Sequence, residues 1–86
     1  MKIRFHKRFS NDFNRLDSKM SRAFEMRLKE FYQNPYEAKL NNHPLQGKWQ
    51  GYRSINISGD CRAVYKEIDE GEVIFITIGS HSRLYG

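Results

Sequence analysis

Two apolar stripes at helical spacing constrain the fold of this chain more than any other feature. Their members recur every three or four residues: Phe5, Phe9, Phe13 and Leu16 in the first stripe, and Met20, Phe24, Leu28 and Phe31 in the second. That spacing puts apolar side chains on one face of an α-helix. It predicts helices at about Lys7–Leu16 and Ser18–Tyr32, with Asp17 or Ser18 capping the second. Because the link is short, the helices should form an antiparallel hairpin whose stripes belong to the core.

The chain changes character after the second stripe. Asn34 and Pro35 end the helix, because a proline disfavours helical backbone in the residue before it. The stretch Tyr36–Gly51 shows no periodicity and contains Pro44 and Gly47, which predicts a long irregular loop. Loops of that length are uncommon in compact domains and are often functional.

Alternating and apolar segments in the second half predict β-strands. The strands are Tyr52–Ser58, Cys61–Lys66 and Glu72–Gly79, with turns at Ser58–Asp60 and Ile68–Gly71 and a tail at Ser80–Gly86. In the middle strand Cys61, Ala63 and Tyr65 should face the core, because strand side chains alternate between two faces. Arg62 should therefore project from the opposite face.

The predicted fold class is α+β. The segment Lys2–Phe5 can add a short first strand. Residues 1–86 should then form one domain, in which an N-terminal strand and a helical hairpin pack on a small antiparallel β-sheet. The other face of that sheet is expected to be exposed to solvent. Beside the basic helical pair, it could provide a binding surface for nucleic acid.

Charge points to the kind of partner. The net charge is +5, and the first 32 residues hold nine basic and four acidic side chains against six of each in the remainder. A concentrated excess favours a polyanion or an acidic protein as partner, although a basic surface can also serve solubility alone. The charged start of the chain, the lack of a long apolar run and the single Cys61 predict a cytoplasmic protein without membrane contact or internal disulfide.

Three motifs carry a resemblance to a known family. They are His-Pro-Leu-Gln-Gly-Lys-Trp-Gln-Gly-Tyr-Arg at 43–53, Asp-Cys-Arg-Ala-Val-Tyr at 60–65 and Gly-Ser-His-Ser-Arg-Leu-Tyr-Gly at 79–86. Together they resemble toxins of the RelE superfamily, nearest to the YafQ-type branch. The resemblance implies a RelE/ParE-like fold and a cognate antitoxin as partner. It also implies cleavage of mRNA in the A site of the ribosomal 30S subunit, beside 16S rRNA, without a metal or other cofactor.

Cleavage of this kind proceeds by attack of a 2′-hydroxyl on the neighbouring phosphate and requires proton transfer at both oxygens. His81 is the first candidate, because an ordinary imidazole has a pKa of about 6.5 and can both take up and release a proton in the cell. The resemblance adds His43 and Asp60. His43 alternatively only shapes the loop, and Asp60 alternatively only forms the turn after Gly59. Which residue is the acid and which the base stays open.

Charge stabilisation and nucleotide binding require further residues. Arg62 can hold two phosphoryl oxygens, or instead form a cross-strand ion pair. Tyr85 can stack on a base or assist proton transfer, or simply close the core. Further candidates for contacts with RNA phosphate are Lys48, Arg53 and Arg83, and for contacts with the ribosome Lys19, Arg22 and Lys29. Trp49 and Tyr52 are expected mostly to pack the loop.

One departure from the YafQ pattern and two other functions must be considered. Asn56 stands where YafQ-type toxins carry a second histidine, and an amide cannot exchange a proton near neutrality.

A gyrase-inhibiting toxin of the ParE type shares the fold but not the nuclease residues. A non-catalytic module that binds RNA or an antitoxin is the other alternative. The nuclease hypothesis requires that Arg62 and His81 open onto one hollow.

Overall fold

One five-stranded sheet forms the centre of the computed structural model, which describes residues 1–85. In chain order the strands are β1 (Lys2–Phe5), β2 (His43–Pro44), β3 (Arg53–Ser58), β4 (Cys61–Asp69) and β5 (Glu72–Ser80). Their spatial order is β1-β5-β4-β3-β2. Strands β2 to β5 pair antiparallel, whereas β1 pairs parallel with β5. The predicted α+β fold is confirmed, and the first strand does complete the sheet.

Three α-helices accompany the sheet: α1 (Lys7–Phe13), α2 (Ser18–Gln33) and α3 (His81–Tyr85). Helix α1 ends three residues before the predicted Leu16. Asp17 caps α2 from an extended backbone conformation (φ −72°, ψ 168°), and its side chain accepts a hydrogen bond from the Met20 amide at 2.8 Å. The chain must leave helical geometry before such a cap. Within residues 1–85 no helix is long and apolar enough to cross a membrane.

Aromatic rings join the helices to one face of the sheet. Phe24 and Phe31 of α2 lie against Phe75 of β5 with ring centroids 5.8 Å and 5.4 Å apart, and Phe31 meets Tyr65 of β4 at 4.9 Å. Cys61, Ala63 and Tyr65 are buried in this core, as predicted from their alternation. Every member of the two apolar stripes except the partly exposed Phe5 therefore belongs to the core or packs against it.

Strand β5 contains a β-bulge that changes which of its residues face the core. Tyr65 pairs with Phe75 but Val64 pairs with Thr77, so Ile76 has no partner on β4. Val64 and Thr77 are fully buried on the side away from the core. The prediction that this second face is open is therefore wrong for the middle of the sheet.

The predicted loop and tail contain regular structure. The segment Tyr36–Gly51 includes β2 and two short 3₁₀ helices, Ala38–Leu40 and Gly47–Trp49. The predicted tail contains α3, whose Leu84 is buried and packs over Gly79. Gly86, the last residue of that tail, lies outside the described residues. The turn predicted at Ile68–Gly71 is shorter, because β4 continues to Asp69.

The buried Cys61 thiol yields a testable prediction. Burial, with a smaller contribution from the Asp60 carboxylate, raises its pKa from 9.0 to about 11. Because the thiolate is the reactive form, iodoacetamide at pH 8 should modify the native protein about a hundredfold more slowly than the urea-unfolded chain. The native thiol keeps its proton to higher pH than the unfolded one, so its contribution to stability should be complete below pH 9.0 and decline up to pH of about 11. Equal alkylation rates in the two states would contradict this.

Candidate active site

A polar hollow of about 410 Å³ lies on the side of the sheet away from the core. Its walls come from the loop before β3, from β3 and β4, and from α3, and consist of Asn41, His43, Leu45, Gln46, Trp49, Ser54, Arg62, His81 and Tyr85. Arg62 and His81 thus open onto one space, as the nuclease hypothesis requires. His43 and Tyr85 join them there.

Helix α3 positions His81 and Tyr85. Ser80 begins it, since its hydroxyl accepts a hydrogen bond from the Arg83 amide at 3.2 Å, and the His81 amide donates to the Asp60 carbonyl at 2.8 Å. Residues four apart share one face of a helix, and the His81 and Tyr85 rings lie edge to face with centroids 4.8 Å apart. The Tyr85 hydroxyl donates to Ser54 Oγ at 3.0 Å, which fixes the phenol at the wall of the hollow.

A backbone carbonyl fixes the tautomer of the neutral His43 ring. Its Nδ1 lies 2.8 Å from the carbonyl oxygen of Asn41, and a carbonyl can only accept a hydrogen bond. Nδ1 therefore carries a proton, which leaves Nε2 of the neutral ring as an acceptor. Asn41 adopts the left-handed conformation (φ 45°) at the end of the first 3₁₀ helix, and this turn presents its carbonyl to His43.

Neutral carbonyls hold the Arg62 guanidinium. Its Nη1 donates to the carbonyl oxygens of Gly59 at 2.8 Å and Cys61 at 3.1 Å. Among residues 1–85 no acidic side chain forms a salt bridge with Arg62, so the alternative of a cross-strand ion pair is not observed. The guanidinium therefore presents an uncompensated positive charge beside the hollow.

Other predicted site residues lie elsewhere. Asp60 is exposed in the turn and is not part of the wall of the hollow, although its carbonyl anchors α3. Arg53 lies near the end of α2, where its Nε donates to Asn42 Oδ1 at 2.7 Å and its guanidinium covers the Tyr36 ring at 5.5 Å. It is on the core side of the sheet and not in the hollow.

The remaining basic candidates form two separate groups. Lys48 and Arg83 line a second groove on the far side of Trp49. The predicted ribosome contacts Lys19, Arg22 and Lys29 are exposed on α2. Because α2 packs on the core side of the sheet, these three residues and the hollow belong to different sides of the molecule.

Several residues of the hollow were not predicted from sequence. Asn41, Gln46 and Ser54 contribute polar groups, and only the left-handed preference of asparagine gave a signal for the first. Trp49 was expected mostly to pack the loop. It does so by donating from Nε1 to the Leu84 carbonyl at 3.3 Å, and it also forms a wall of the hollow.

Asn56 pairs with Arg62 across the two central strands. Its Oδ1 is buried and has no hydrogen-bond partner among the described residues.

Within residues 1–85 no group of three or more His, Cys, Asp or Glu side chains is placed to hold a metal ion.

The fold is that of a family of small bacterial toxins. The family model described as "Bacterial toxin of type II toxin-antitoxin system, YafQ" matches residues 1–86. Because the match spans the whole chain, the protein belongs to the YafQ toxin family.

Individual relatives agree with the family match. The mRNA interferase toxin YafQ of Escherichia coli strain K12 is 38% identical over 52 residues, or 60% of this chain and 55% of that protein. The matched segment thus spans about half the length of the curated relatives. The crystal structure of YafQ from E. coli BL21(DE3) has a TM-score of 0.82 and 26% identity over 99% of this chain and 98% of that one. The crystal structure of the E. coli DinJ–YafQ complex has a TM-score of 0.71 and 29% identity over the same shares.

The Asn41 turn can be tested by substitution. Asn41→Gly should keep the left-handed backbone and the carbonyl that fixes His43, whereas Asn41→Val should destabilise the fold by about 1–2 kcal/mol, because a β-branched residue is strained there. Urea denaturation measures the stability, and the ¹⁵N chemical shifts of the imidazole report whether Nδ1 keeps its proton. Equal stability of the two variants would show that the turn does not require this conformation.

Proposed function

We propose that this protein is a ribosome-dependent endoribonuclease that cleaves mRNA in the A site and so inhibits translation. The observation that carries the proposal is the hollow, in which two imidazoles, a phenol and a guanidinium without a carboxylate partner meet. That set provides proton donors, proton acceptors and a fixed cation without a metal ion or cofactor. The name mRNA interferase toxin given to the E. coli relative supports the same activity.

The proposed mechanism assigns the proton transfers to the two histidines. His43 Nε2, left as an acceptor by the Nδ1 contact, takes the proton of the 2′-hydroxyl while the 2′-oxygen bonds to phosphorus. The bond from phosphorus to the 5′-oxygen breaks, and protonated His81 gives its proton to that leaving oxygen. The products are a 2′,3′-cyclic phosphate and a 5′-hydroxyl. Acid–base catalysis of this kind contributes roughly 10²–10⁴-fold to the rate.

Arg62 and Tyr85 serve the transition state and the nucleotide. Negative charge grows on the phosphoryl oxygens, and the unpaired guanidinium of Arg62 is positioned to meet it. Tyr85, held by Ser54, lies edge to face with the His81 ring and provides an aromatic surface for an unpaired base. Asp60 acts through its carbonyl, which holds the start of α3, rather than as a proton carrier.

The mechanism predicts specific losses. His81→Ala, His43→Ala and Arg62→Ala should each lower the rate of mRNA cleavage at least about a hundredfold, because each removes a proton carrier or the fixed cation. Primer extension on mRNA from a cell-free translation reaction measures the cut sites. His6→Asn is the matched control, because the His6 side chain caps α1 through Nδ1 and asparagine also caps helices. Wild-type cleavage by His81→Ala would refute the acid assignment.

The same reaction separates the other functions. A gyrase inhibitor of the ParE type would leave the mRNA intact and trap cleaved DNA, and a non-catalytic module would give neither product. Cleavage that requires engaged ribosomes supports the nuclease. We further propose that the protein acts in the cytoplasm and is neutralised there by a cognate antitoxin, as DinJ accompanies YafQ in the E. coli complex.

Lys19, Arg22 and Lys29 are proposed to contact ribosomal RNA. Changing all three to Glu should weaken cosedimentation with 30S subunits at low salt, because fewer phosphate charges are then neutralised. The matched control changes Lys2, Lys7 and Lys39 to Glu and alters the net charge equally. Equal losses in both variants would indicate a general charge effect, and unchanged binding of the α2 variant would refute docking through this helix.

A further inference from the structure

A basic groove of about 300 Å³ adjoins the hollow and has no part in the mechanism above. Its walls are Arg8, Lys48, Trp49, Tyr52, Arg83 and Leu84. Trp49 is a wall of both spaces, so the groove begins where the hollow ends. We call these six residues the Trp49 groove.

The Trp49 groove has an excess of positive charge that the fold itself holds in place. Asp12 accepts a hydrogen bond from Thr77 Oγ1 at 2.6 Å, which fixes its carboxylate. Three arginines surround that one carboxylate: Arg8 at 3.7 Å and Arg83 at 3.8 Å, which are walls of the groove, and Arg15 at 3.8 Å, which is not. One negative charge cannot balance three positive ones. The arginine side chains also remain more than half exposed and therefore open to an anionic ligand.

The two aromatic rings of the groove each lie near a cation: Arg8 of the groove for Trp49, and Lys66, outside the groove, for Tyr52. The Trp49 and Tyr52 rings lie edge to face with centroids 5.4 Å apart, and the indole is fixed by its hydrogen bond to the Leu84 carbonyl. The Arg8 guanidinium lies 5.6 Å from the Trp49 ring, and Lys66 Nζ lies 5.4 Å from the Tyr52 ring. Alternating cations and aromatic faces are what single-stranded nucleic acids bind, through phosphates and unpaired bases respectively.

We propose that the Trp49 groove binds the single-stranded RNA that continues from the nucleotide held in the hollow. The inference rests on the proposed ribonuclease function and extends it from the scissile phosphate to the adjoining segment. A strand with one nucleotide between His43 and His81 passes Trp49 directly into the groove. There Arg8, Lys48 and Arg83 meet its phosphates. An acidic protein segment could bind the same cations but would not require the aromatic rings. The presence of both cations and rings therefore favours RNA over an acidic protein as the ligand.

The experiment compares long and short RNA on an otherwise intact protein. Fluorescence anisotropy would follow binding of single-stranded 2′-O-methyl RNA, which lacks the attacking hydroxyl, as a nonanucleotide and as a trinucleotide. Arg8→Gln combined with Lys48→Gln should weaken nonanucleotide binding about tenfold at low salt and leave the trinucleotide unaffected. The slope of log affinity against log salt should fall by about 1.4, or about 0.7 for each lost phosphate contact. Lys2→Gln combined with Lys39→Gln, which lie outside both spaces, should change neither measurement.

A variant with one substitution controls for loss of folding caused by the Arg8 substitution. Lys48 is exposed on a short 3₁₀ helix, so Lys48→Gln alone should keep the fold and reduce the salt slope by about 0.7. Unchanged nonanucleotide affinity in both variants overturns the proposal. So does selective loss of binding to a Glu-rich peptide with RNA binding retained, because the groove would then serve a protein partner.

The two proposals can fail separately. If the groove variants bind RNA like the wild type while cleavage on ribosomes still requires His81, only the groove proposal is wrong. If the groove variants lose the nonanucleotide while His81→Ala cleaves normally, the groove proposal stands and the catalytic assignment is wrong.

Discussion

Burial of Phe75 is the constraint on which the rest of the structure depends. Its ring meets Phe5 of β1, Phe9 of α1, Phe24 and Phe31 of α2 and Tyr65 of β4, all with centroids within 5.9 Å. One side chain of β5 thus joins two helices and two further strands of the molecule. Loss of a buried phenylalanine typically costs about 3–5 kcal/mol, which is a large part of the roughly 5–15 kcal/mol that stabilises a domain. Because all these rings lie on one face of the sheet, the other face is available for the candidate active site.

The second face is built differently, with small and polar groups at its centre. Ser54, Val64 and Thr77 are aligned across three strands and are almost completely buried, yet two of them are polar. Each polar group has a partner that matters to the site: Ser54 accepts from Tyr85, and Thr77 donates to Asp12. A buried polar group without a partner costs free energy, so these contacts stabilise the fold as well as the site. The hollow and the Trp49 groove share this polar support.

Local patterns predicted the α+β fold, the two main helices and the buried side of β4, because apolar periodicity follows directly from which face is buried. They failed where the side chains carried no such pattern. The run Val73–Ile78 is apolar apart from Thr77, so nothing in it indicates that Ile76 bulges out. Helix α3 was interpreted as a tail because five residues are too few for a periodic stripe. Ser80 as a cap and Leu84 as a core residue were the available signals.

The candidate site was predictable in part for the same reason. Alternation placed Arg62 opposite Ala63. The same alternation puts Arg53 on the side of Ile55, so Arg53 lies on the core side although its charge made it a candidate for RNA contact. The left-handed preference of asparagine was the one signal at Asn41, but it does not reveal that the backbone carbonyl of this turn points to His43. Arg62 likewise owes its availability to the carbonyls of Gly59 and Cys61, which hold the guanidinium without neutralising it. Side-chain identity thus indicates which groups can react, whereas backbone carbonyls, whose directions the residue types do not reveal, determine the tautomer of His43 and the position of the Arg62 guanidinium.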